Sequence, residues 1–187
     1  LDATDALPAR RDDFHVPQHA GSDVVYFTGN SLGLQPKAAE AALRTELNDW
    51  AEHGVEGHFR AQHPWVSYHE RFAQGLSHIV GAKANEVVAM NALTVNLHLL
   101  LVSFYRPSGK RTKILCEAKA FPSDQYALAS QVRFHGGDPA VDIIEVAPRE
   151  GSSVIEEADI EAILHDRGDE IALVMMGGVQ YFTGQWL

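Results

Sequence analysis

Apolar and polar positions in the second half of the chain alternate between two patterns. Short apolar runs, which are typical of buried strands, are followed by longer stretches whose apolar residues recur at helical spacing. Strands are predicted at residues 86–90, 112–117, 141–146 and 171–176, and the helices between them at residues 93–105, 123–134 and 158–166. This alternation predicts an α/β fold with a mostly parallel sheet flanked by helices.

The first half of the chain has a less regular pattern. Residues 1–24 are predicted to form an irregular arm and residues 25–27 a short strand. Pro36 is suited to the first turn of a helix, and a polar loop at residues 54–62 separates this helix from a second one at residues 64–80. The apolar stripe predicted on the first helix consists of Ala39, Leu43, Leu47 and Trp50.

The composition limits the classes of partner. The chain has 187 residues, of which 45% are hydrophobic and 21% are charged, and its net charge is −10 at pH 7. A charge of this sign disfavours nucleic acid and anionic membranes as partners. No apolar run has membrane-spanning length, the N-terminal residues lack the apolar segment of a secretory signal, and the single cysteine cannot form an internal disulfide. We therefore expect a cytoplasmic protein of one domain or slightly more.

The chain ends soon after the predicted strand at residues 171–176. A glycine-containing loop follows that strand, and few residues remain beyond it. Because α/β domains rarely stop directly after a central strand, we expect this chain to be part of a longer protein.

Two predicted strand-to-helix loops carry the residues best suited to bind a ligand. Residues 91–94 follow the first predicted strand, and residues 121–124 bring together an aromatic ring, a proline, a hydroxyl and a carboxylate after the second. Ligands of parallel sheets bind at the carboxyl ends of the strands, and the N–H groups at a helix start favour anions. We expect the two loops to converge on one ligand. The alternative is an ordinary loop in which Ser123 or Asp124 caps a helix.

Several familiar motifs are absent from the sequence. It has no repeat of fixed period, no glycine-rich dinucleotide-binding motif, no phosphate-binding P-loop and no G-x-S-x-G. His53, His58 and His63 are spaced by five residues, which does not place them on one helix face, and no cysteine pair accompanies them. We expect no metal site.

Four segments of the chain form a recognisable set. They are YFTGNSLGLQPK at residues 26–37, MNALTVNLH at 90–98, AKAFPSD at 118–124 and VQYFTGQ at 179–185. In sequence and in order they resemble kynureninases, from about residue 25 to the last residue. The resemblance implies the large domain of a fold-type-I pyridoxal-phosphate enzyme, similar to aspartate aminotransferase and incomplete in this chain. Residues 1–60 would form an arm and helix contributing to the small domain and pocket, and residues 61–187 the first part of the large domain.

The resemblance also implies an activity. Kynureninases use pyridoxal 5′-phosphate to hydrolyse L-kynurenine, and usually also 3-hydroxykynurenine, to anthranilate or 3-hydroxyanthranilate and L-alanine. The implied protein is a homodimer with a shared active site. Its implied place is the kynurenine pathway of tryptophan catabolism, which also supplies NAD biosynthesis.

Residue by residue, the resemblance assigns cofactor-binding roles. Leu93 and Thr94 would hold the cofactor phosphate at a helix start, and Phe121 would stack on the pyridine ring. Asp124 would lie toward the ring nitrogen. Gly177 stands where the family often carries a serine near the phosphate, so only its N–H group could bind there. The implied cofactor-binding residues are Leu93, Thr94, Phe121, Pro122, Ser123, Asp124 and Gly177.

The substrate-binding residues implied by the resemblance are Ser31 and His58, with a solvated loop histidine as the alternative for His58. The family's Schiff-base lysine and the aspartate that pairs with the ring nitrogen lie beyond residue 187. The resemblance therefore implies no catalytic residue within this chain and no turnover by the chain alone. Lys119 neighbours the Phe121 loop, but we expect it at the surface, since a Schiff-base amine needs a desolvated pocket.

Two alternatives stay open. One is another enzyme of the same fold type, such as a cysteine desulfurase or a class V aminotransferase. The other is a relative of the same fold that has lost catalysis.

Overall fold

The computed structural model describes residues 9–187. These residues divide between two units, one ending at Ala89 and one beginning at Met90. The division falls later than the domain boundary expected after residue 60, and that domain assignment stays a prediction. Residues 1–8 of the predicted arm lie outside the described residues. None of the helices in residues 9–187 has the length and apolar content needed to cross a membrane.

Short elements make up the first unit. Two antiparallel strand pairs form near its start: β1 (Phe14–His15) pairs with β4 (Gln35–Pro36), and β2 (Gln18–His19) pairs with β3 (Ser22–Asp23). The helices of this unit are α1 (Ala38–His53), α2 (Gly57–Arg60) and α3 (Ala73–Val80). Further 3₁₀ segments lie at Arg11–Asp13, Gly54–Glu56, Trp65–Phe72 and Ala84–Glu86. The arm therefore contains paired strands where an irregular segment was predicted.

The first helix begins later than predicted. Pro36 pairs with Phe14 in the strand ladder, and the Lys37 N–H donates to the Asp13 carbonyl at 2.8 Å. This stretch therefore belongs to a strand pair, and α1 begins only at Ala38.

The predicted strand at residues 25–27 is wrong. Val25 and Phe27 are 77% and 89% exposed, and no strand of the described residues pairs with this segment. The Tyr26 hydroxyl instead donates to the Leu32 carbonyl at 2.6 Å across the turn that comes next in the chain. A short apolar run forms a strand only when a neighbouring strand pairs with it.

The region after α1 is helical over a longer stretch than predicted. The predicted loop at residues 54–62 is wrong over most of its length, because a 3₁₀ segment and α2 occupy it. The helix predicted at residues 64–80 is confirmed in its extent. Its first part, Trp65–Phe72, is however a 3₁₀ segment, and only α3 is an α-helix.

The apolar stripe of α1 is exposed. Leu43, Leu47 and Trp50 have 66%, 54% and 65% of their surface accessible. On the same face, the Glu46 carboxylate accepts a hydrogen bond from the Trp65 indole N–H at 3.0 Å. Within the first unit, the apolar side chains of α1 are therefore only partly packed.

A parallel three-stranded sheet organises the second unit. Its strands are β5 (Lys113–Glu117), β6 (Ile143–Val146) and β7 (Ile171–Met175), with β5 between the other two. The helices of this unit are α4 (Leu93–Phe104), α5 (Pro122–Phe134), α6 (Pro139–Asp142) and α7 (Glu157–Arg167). The predicted α/β fold with a parallel sheet and helices is confirmed.

Two of the strand predictions need correction. The strand at residues 86–90 is wrong: the Glu86 carboxylate accepts the Lys83 N–H at 2.9 Å and closes a 3₁₀ turn, and residues 87–90 pair with no strand in the described part of the chain. The last strand was expected to be buried, but β7 lies at the edge of the sheet and Val174 is 45% exposed.

The core of the second unit lies between β5 and two helices, α4 and α5. Ile114 and Cys116 lie on the same face of β5, because alternate residues of a strand point to the same side. Burial, with the nearby Glu145 and Glu117 carboxylates, raises the pKa of the Cys116 thiol to about 12, so it packs as a neutral group. The buried side chains of this core are Leu101, Tyr105, Ile114, Cys116, Ala127, Leu128 and Val132.

We expect Leu101→Ala to lower the free energy of unfolding of the full-length protein by about 2–5 kcal/mol, because the substitution leaves a cavity at a fully buried position. Ser103→Ala on the same helix should change it by less than about 0.5 kcal/mol, because the Ser103 hydroxyl bonds only the Leu99 carbonyl of its own helix. Denaturant titration followed by circular dichroism measures both. Similar losses for the two variants would contradict this core.

Candidate functional site

Helices α4 and α5 run in the same direction. The Tyr105 and His135 rings, at the ends of the two helices, have centroids 5.2 Å apart. Further toward the helix starts, His98 Nδ1 and Gln131 Nε2 are 3.1 Å apart. The chain enters α5 directly from the carboxyl end of β5, so α5 begins at that edge of the sheet. Because α4 runs parallel to α5, its first turn points to the same edge, where parallel sheets bind ligands.

The first turn of α4 has no side-chain cap. Its N-cap residue is Ala92, which has no polar side-chain atom. Asn91 and Asn96 brace the loop before it: Asn96 Nδ2 donates to the Asn91 carbonyl at 3.0 Å, and the Asn91 N–H donates to Asn96 Oδ1 at 3.1 Å. The N–H groups of Leu93 and Thr94 are therefore suited to bind an external anion.

A sharp corner joins β5 to α5. Lys119 has a φ of +56°, in the left-handed region that non-glycine residues seldom adopt, and its side chain is exposed as expected. Gln125 Nε2 donates to the Ala120 carbonyl at 2.5 Å and ties the corner to the first turn of α5.

The first turn of α5 also lacks a side-chain cap. Phe121 is the N-cap residue and Pro122 the first residue of the helix. The Asp124 N–H donates to the Phe121 carbonyl at 2.9 Å, and the Ser123 hydroxyl donates to Asp124 Oδ1 at 3.3 Å. The alternative in which Ser123 or Asp124 caps the helix is therefore wrong, and the Asp124 carboxylate has no capping role.

The Phe121 ring is only partly packed. It is 49% exposed, and the Tyr181 ring meets it edge to face, with centroids 5.2 Å apart and planes at 87°. A flat aromatic surface with one packed neighbour can stack on a planar ligand.

A buried carboxyl group lies at the end of β5. Glu117 is only 6% exposed, and its Oε2 atom has no hydrogen-bond partner. Burial raises the pKa of Glu117, and the charge of Asp124 raises it further. A Cβ atom at Gly177 would lie 3.1 Å from Glu117 Oε1, so the missing side chain there leaves room for this carboxyl.

Sequence reasoning missed Glu117 and Tyr181. A signal for Glu117 was present, because a lone carboxylate ends an otherwise apolar strand. Tyr181 gave no such signal, since its contact with Phe121 depends on how the loop after β7 folds back.

The two predicted substrate-binding residues belong to the first unit. Ser31 is exposed, and its N–H donates to the Thr28 carbonyl at 2.9 Å in a turn. His58 is also exposed, with Nδ1 2.8 Å from the Val55 carbonyl and its ring edge-on to Trp65 at 5.4 Å. Since the carbonyl can only accept, Nδ1 carries the hydrogen in this contact and Nε2 stays available. A role in substrate binding stays a prediction for both residues.

The site at the carboxyl edge of the sheet suits one kind of ligand. It offers uncapped helix N–H groups to an anion and a flat ring to an aromatic system, together with the Asp124 carboxylate and the buried Glu117 carboxyl group, whose pKa is raised. Among residues 9–187, no group of three or more His, Cys, Asp or Glu side chains is arranged to hold a metal ion. A phosphorylated heteroaromatic molecule therefore fits the residues present.

We expect Glu117→Gln to raise the melting temperature of the cofactor-free full-length protein at pH 8 and to raise it less at pH 5. The native state holds the Glu117 proton more tightly than the unfolded state, so stability is lost as the pH rises above about 4. The glutamine side chain does not ionise, so the substitution removes this loss of stability.

The matched control is Glu170→Gln. A hydrogen bond from Arg167 lowers the pKa of Glu170, so its carboxylate stabilises the native state at neutral pH and less so in acid. This variant should melt lower at pH 8. Thermal melts across pH 5–8 measure both variants, and a lower melting temperature for Glu117→Gln at pH 8 would contradict a raised pKa for Glu117.

Comparison with known proteins gives a consistent result. No protein-family model matches the chain. The chain is 56% identical over 185 residues to a kynureninase from Christiangramia forsetii and 58% identical over 185 residues to one from Flavobacterium psychrophilum. It is 55% identical over 186 residues to a kynureninase from Myxococcus xanthus. Each match covers 99% of this chain and 44% of the relative, so the chain spans less than half the length of these curated proteins. Along almost its whole length, the chain is thus similar to one part of these kynureninases.

Proposed function

We propose that the full-length protein carrying this chain is a kynureninase. It hydrolyses L-kynurenine, and also 3-hydroxykynurenine, to anthranilate or 3-hydroxyanthranilate and L-alanine. The observation that carries this proposal is the identity of 50–58% to curated kynureninases along almost the whole chain. The uncapped helix starts at the carboxyl edge of the sheet support it, because they suit a phosphorylated cofactor.

We propose pyridoxal 5′-phosphate as that cofactor. The N–H groups of Leu93 and Thr94, with the Thr94 hydroxyl, would hold its phosphate at the start of α4. The Gly177 N–H would contribute there as well. Phe121 would cover one face of its ring, and Pro122 fixes the helix start that carries Phe121. When bound, pyridoxal phosphate supplies an electron sink that stabilises negative charge on the substrate carbon beside it.

The chain's own acidic residues set the charge around the ring. Asp124, with the Ser123 hydroxyl donating to it, would lie toward the ring-nitrogen side of the cofactor. Burial raises the pKa of Glu117, which disfavours a second negative charge near the phosphate.

Ser31 and His58 would bind the substrate. His58 keeps Nε2 available when Nδ1 faces the Val55 carbonyl, so it can hold or donate a proton at that atom. Ser31 offers a hydroxyl on an exposed turn. Both are polar groups suited to the amino and carbonyl functions of kynurenine.

The fold type, the oligomeric state, the cellular location and the pathway are also proposals. We propose fold type I, a cytoplasmic homodimer with a shared active site, and a role in tryptophan catabolism and NAD biosynthesis. The α/β architecture and the exposed apolar stripe of α1 are compatible with a larger assembly.

A direct turnover assay tests the function. Full-length protein supplied with pyridoxal phosphate should convert L-kynurenine to fluorescent anthranilate and release one L-alanine for each anthranilate. L-cysteine is the control substrate, from which no sulfide should be released. Sulfide without anthranilate would identify a desulfurase, and failure to take up the cofactor would identify a non-catalytic relative.

We expect Thr94→Val to weaken binding of pyridoxal phosphate to the full-length protein by about 5–10-fold, because it removes one hydrogen bond to an anion without changing the shape of the side chain. Thr45→Val is the matched control, since the Thr45 hydroxyl bonds only the Ala41 carbonyl within α1. Titration of the apoenzyme followed by cofactor absorbance measures both affinities. Equal affinities for the two variants would place the phosphate elsewhere.

A further inference from the structure

The loop after β7 is held by one buried amide. Gln180 is only 8% exposed, and its Oε1 atom accepts the N–H groups of Phe182 and Thr183 at 2.7 and 2.8 Å. The Thr183 hydroxyl lies 3.2 Å from the same atom. A side chain that satisfies several groups of its own loop fixes the path of the backbone through Tyr181.

A second amide ties the end of this loop to another part of the unit. Gln185 Oε1 accepts the Ile155 N–H at 2.8 Å, and Gln185 Nε2 donates to the Ile155 carbonyl at 2.6 Å. The Gln180 N–H donates to the Gln185 carbonyl at 2.8 Å and closes the loop between the two amides. The loop is therefore clamped at both ends, with Tyr181 directly after the first clamp.

This clamped loop places the Tyr181 ring against Phe121. The two rings meet edge to face at 5.2 Å and 87°, a favourable geometry for aromatic pairs. Phe121 is half exposed and lies before the first turn of α5, so few other contacts determine the orientation of its ring. The Tyr181 hydroxyl makes no hydrogen bond within residues 9–187, so the ring alone carries this contact.

We propose that Tyr181 is a positioning residue, whose ring holds the Phe121 ring in the orientation that stacks on the bound cofactor. Tyr181 acts through Phe121, and the two glutamine clamps hold Tyr181 in place. This inference rests on the proposed function, because it concerns the same cofactor site.

The experiment uses the full-length protein and three substitutions. Tyr181→Leu removes the ring and keeps an apolar side chain, Tyr181→Phe keeps the ring, and Phe182→Ala is the matched control. Phe182 is the next aromatic residue in the loop and is 85% exposed; its ring centroid lies 6.5 Å from that of Tyr181, and within residues 9–187 it does not pair with the Phe121 ring. We expect Tyr181→Leu to weaken binding of pyridoxal phosphate about 5–10-fold and to reduce the circular dichroism of the bound cofactor, as loss of an aromatic contact predicts. The other two variants should stay within about twofold of the unsubstituted protein, because both keep the ring that faces Phe121.

A double-mutant cycle separates positioning from a general structural effect. If Tyr181 acts through Phe121, then Tyr181→Leu should add no further loss of affinity once Phe121→Leu is present. Additive losses, or full cofactor affinity and unchanged circular dichroism in Tyr181→Leu, would overturn the proposal.

A cofactor-free measurement distinguishes failure of this inference from failure of the proposed function. In apoenzyme labelled with fluorophenylalanine, the ¹⁹F resonance of Phe121 should shift in Tyr181→Leu and stay in place in Phe182→Ala. A shifted resonance would show that the two rings are in contact. If the unsubstituted protein nevertheless takes up no pyridoxal phosphate, the proposed function fails, and the inference that rests on it fails as well. If the cofactor binds and the resonance does not shift, only this inference is overturned.

Discussion

The parallel packing of α4 and α5 on one face of β5 is the constraint on which the candidate site depends. Leu101 and Leu128, with Ile114 beneath them, are almost fully buried between these three elements. Because both helices begin at the carboxyl edge of the sheet, the free N–H groups at the start of α4 and the Phe121 ring before α5 lie at the same edge. The hydrophobic core thus determines where an anion can bind, although none of its side chains touches that region.

The electrostatics of the site agree with this geometry. The chain carries a net charge of −10, which is unfavourable for binding a phosphate. Helix N-termini offset this locally, and burial raises the pKa of the Glu117 carboxyl at the end of β5, which disfavours its charged form. Asp124 then remains as the carboxylate of the first turn of α5. The local electrostatics are therefore compatible with the phosphate group of the proposed cofactor.

The sequence predicted the second unit better than the first. Helices α4 and α5 and strand β5 were placed to within one residue at each end, because strand and helix periodicities alternate clearly there. The run at residues 86–90 looked like a strand as well, but pairing requires a neighbour that local sequence cannot reveal. For the same reason the paired segments near Phe14 and Pro36 were missed. A local sequence pattern describes one segment of the chain, whereas strand pairing depends on two segments.

The predicted site shows the same limit. The loops at residues 91–94 and 121–124 could be found from the residues they carry and from their place between strand and helix. Glu117 left a signal as a carboxylate at the end of a strand, but its burial could not be predicted, and the position of Tyr181 depends on how the loop after β7 folds back. Residues that act directly on a ligand leave a signature in sequence more often than residues that hold them in position.

A crystal structure of the full-length protein with pyridoxal phosphate tests the central claim most directly. The account predicts phosphate oxygens within about 2.7–3.2 Å of the Leu93 and Thr94 nitrogen atoms, with the Phe121 ring lying flat on the cofactor ring. A phosphate bound away from the start of α4, or a cofactor ring out of contact with Phe121, would contradict it.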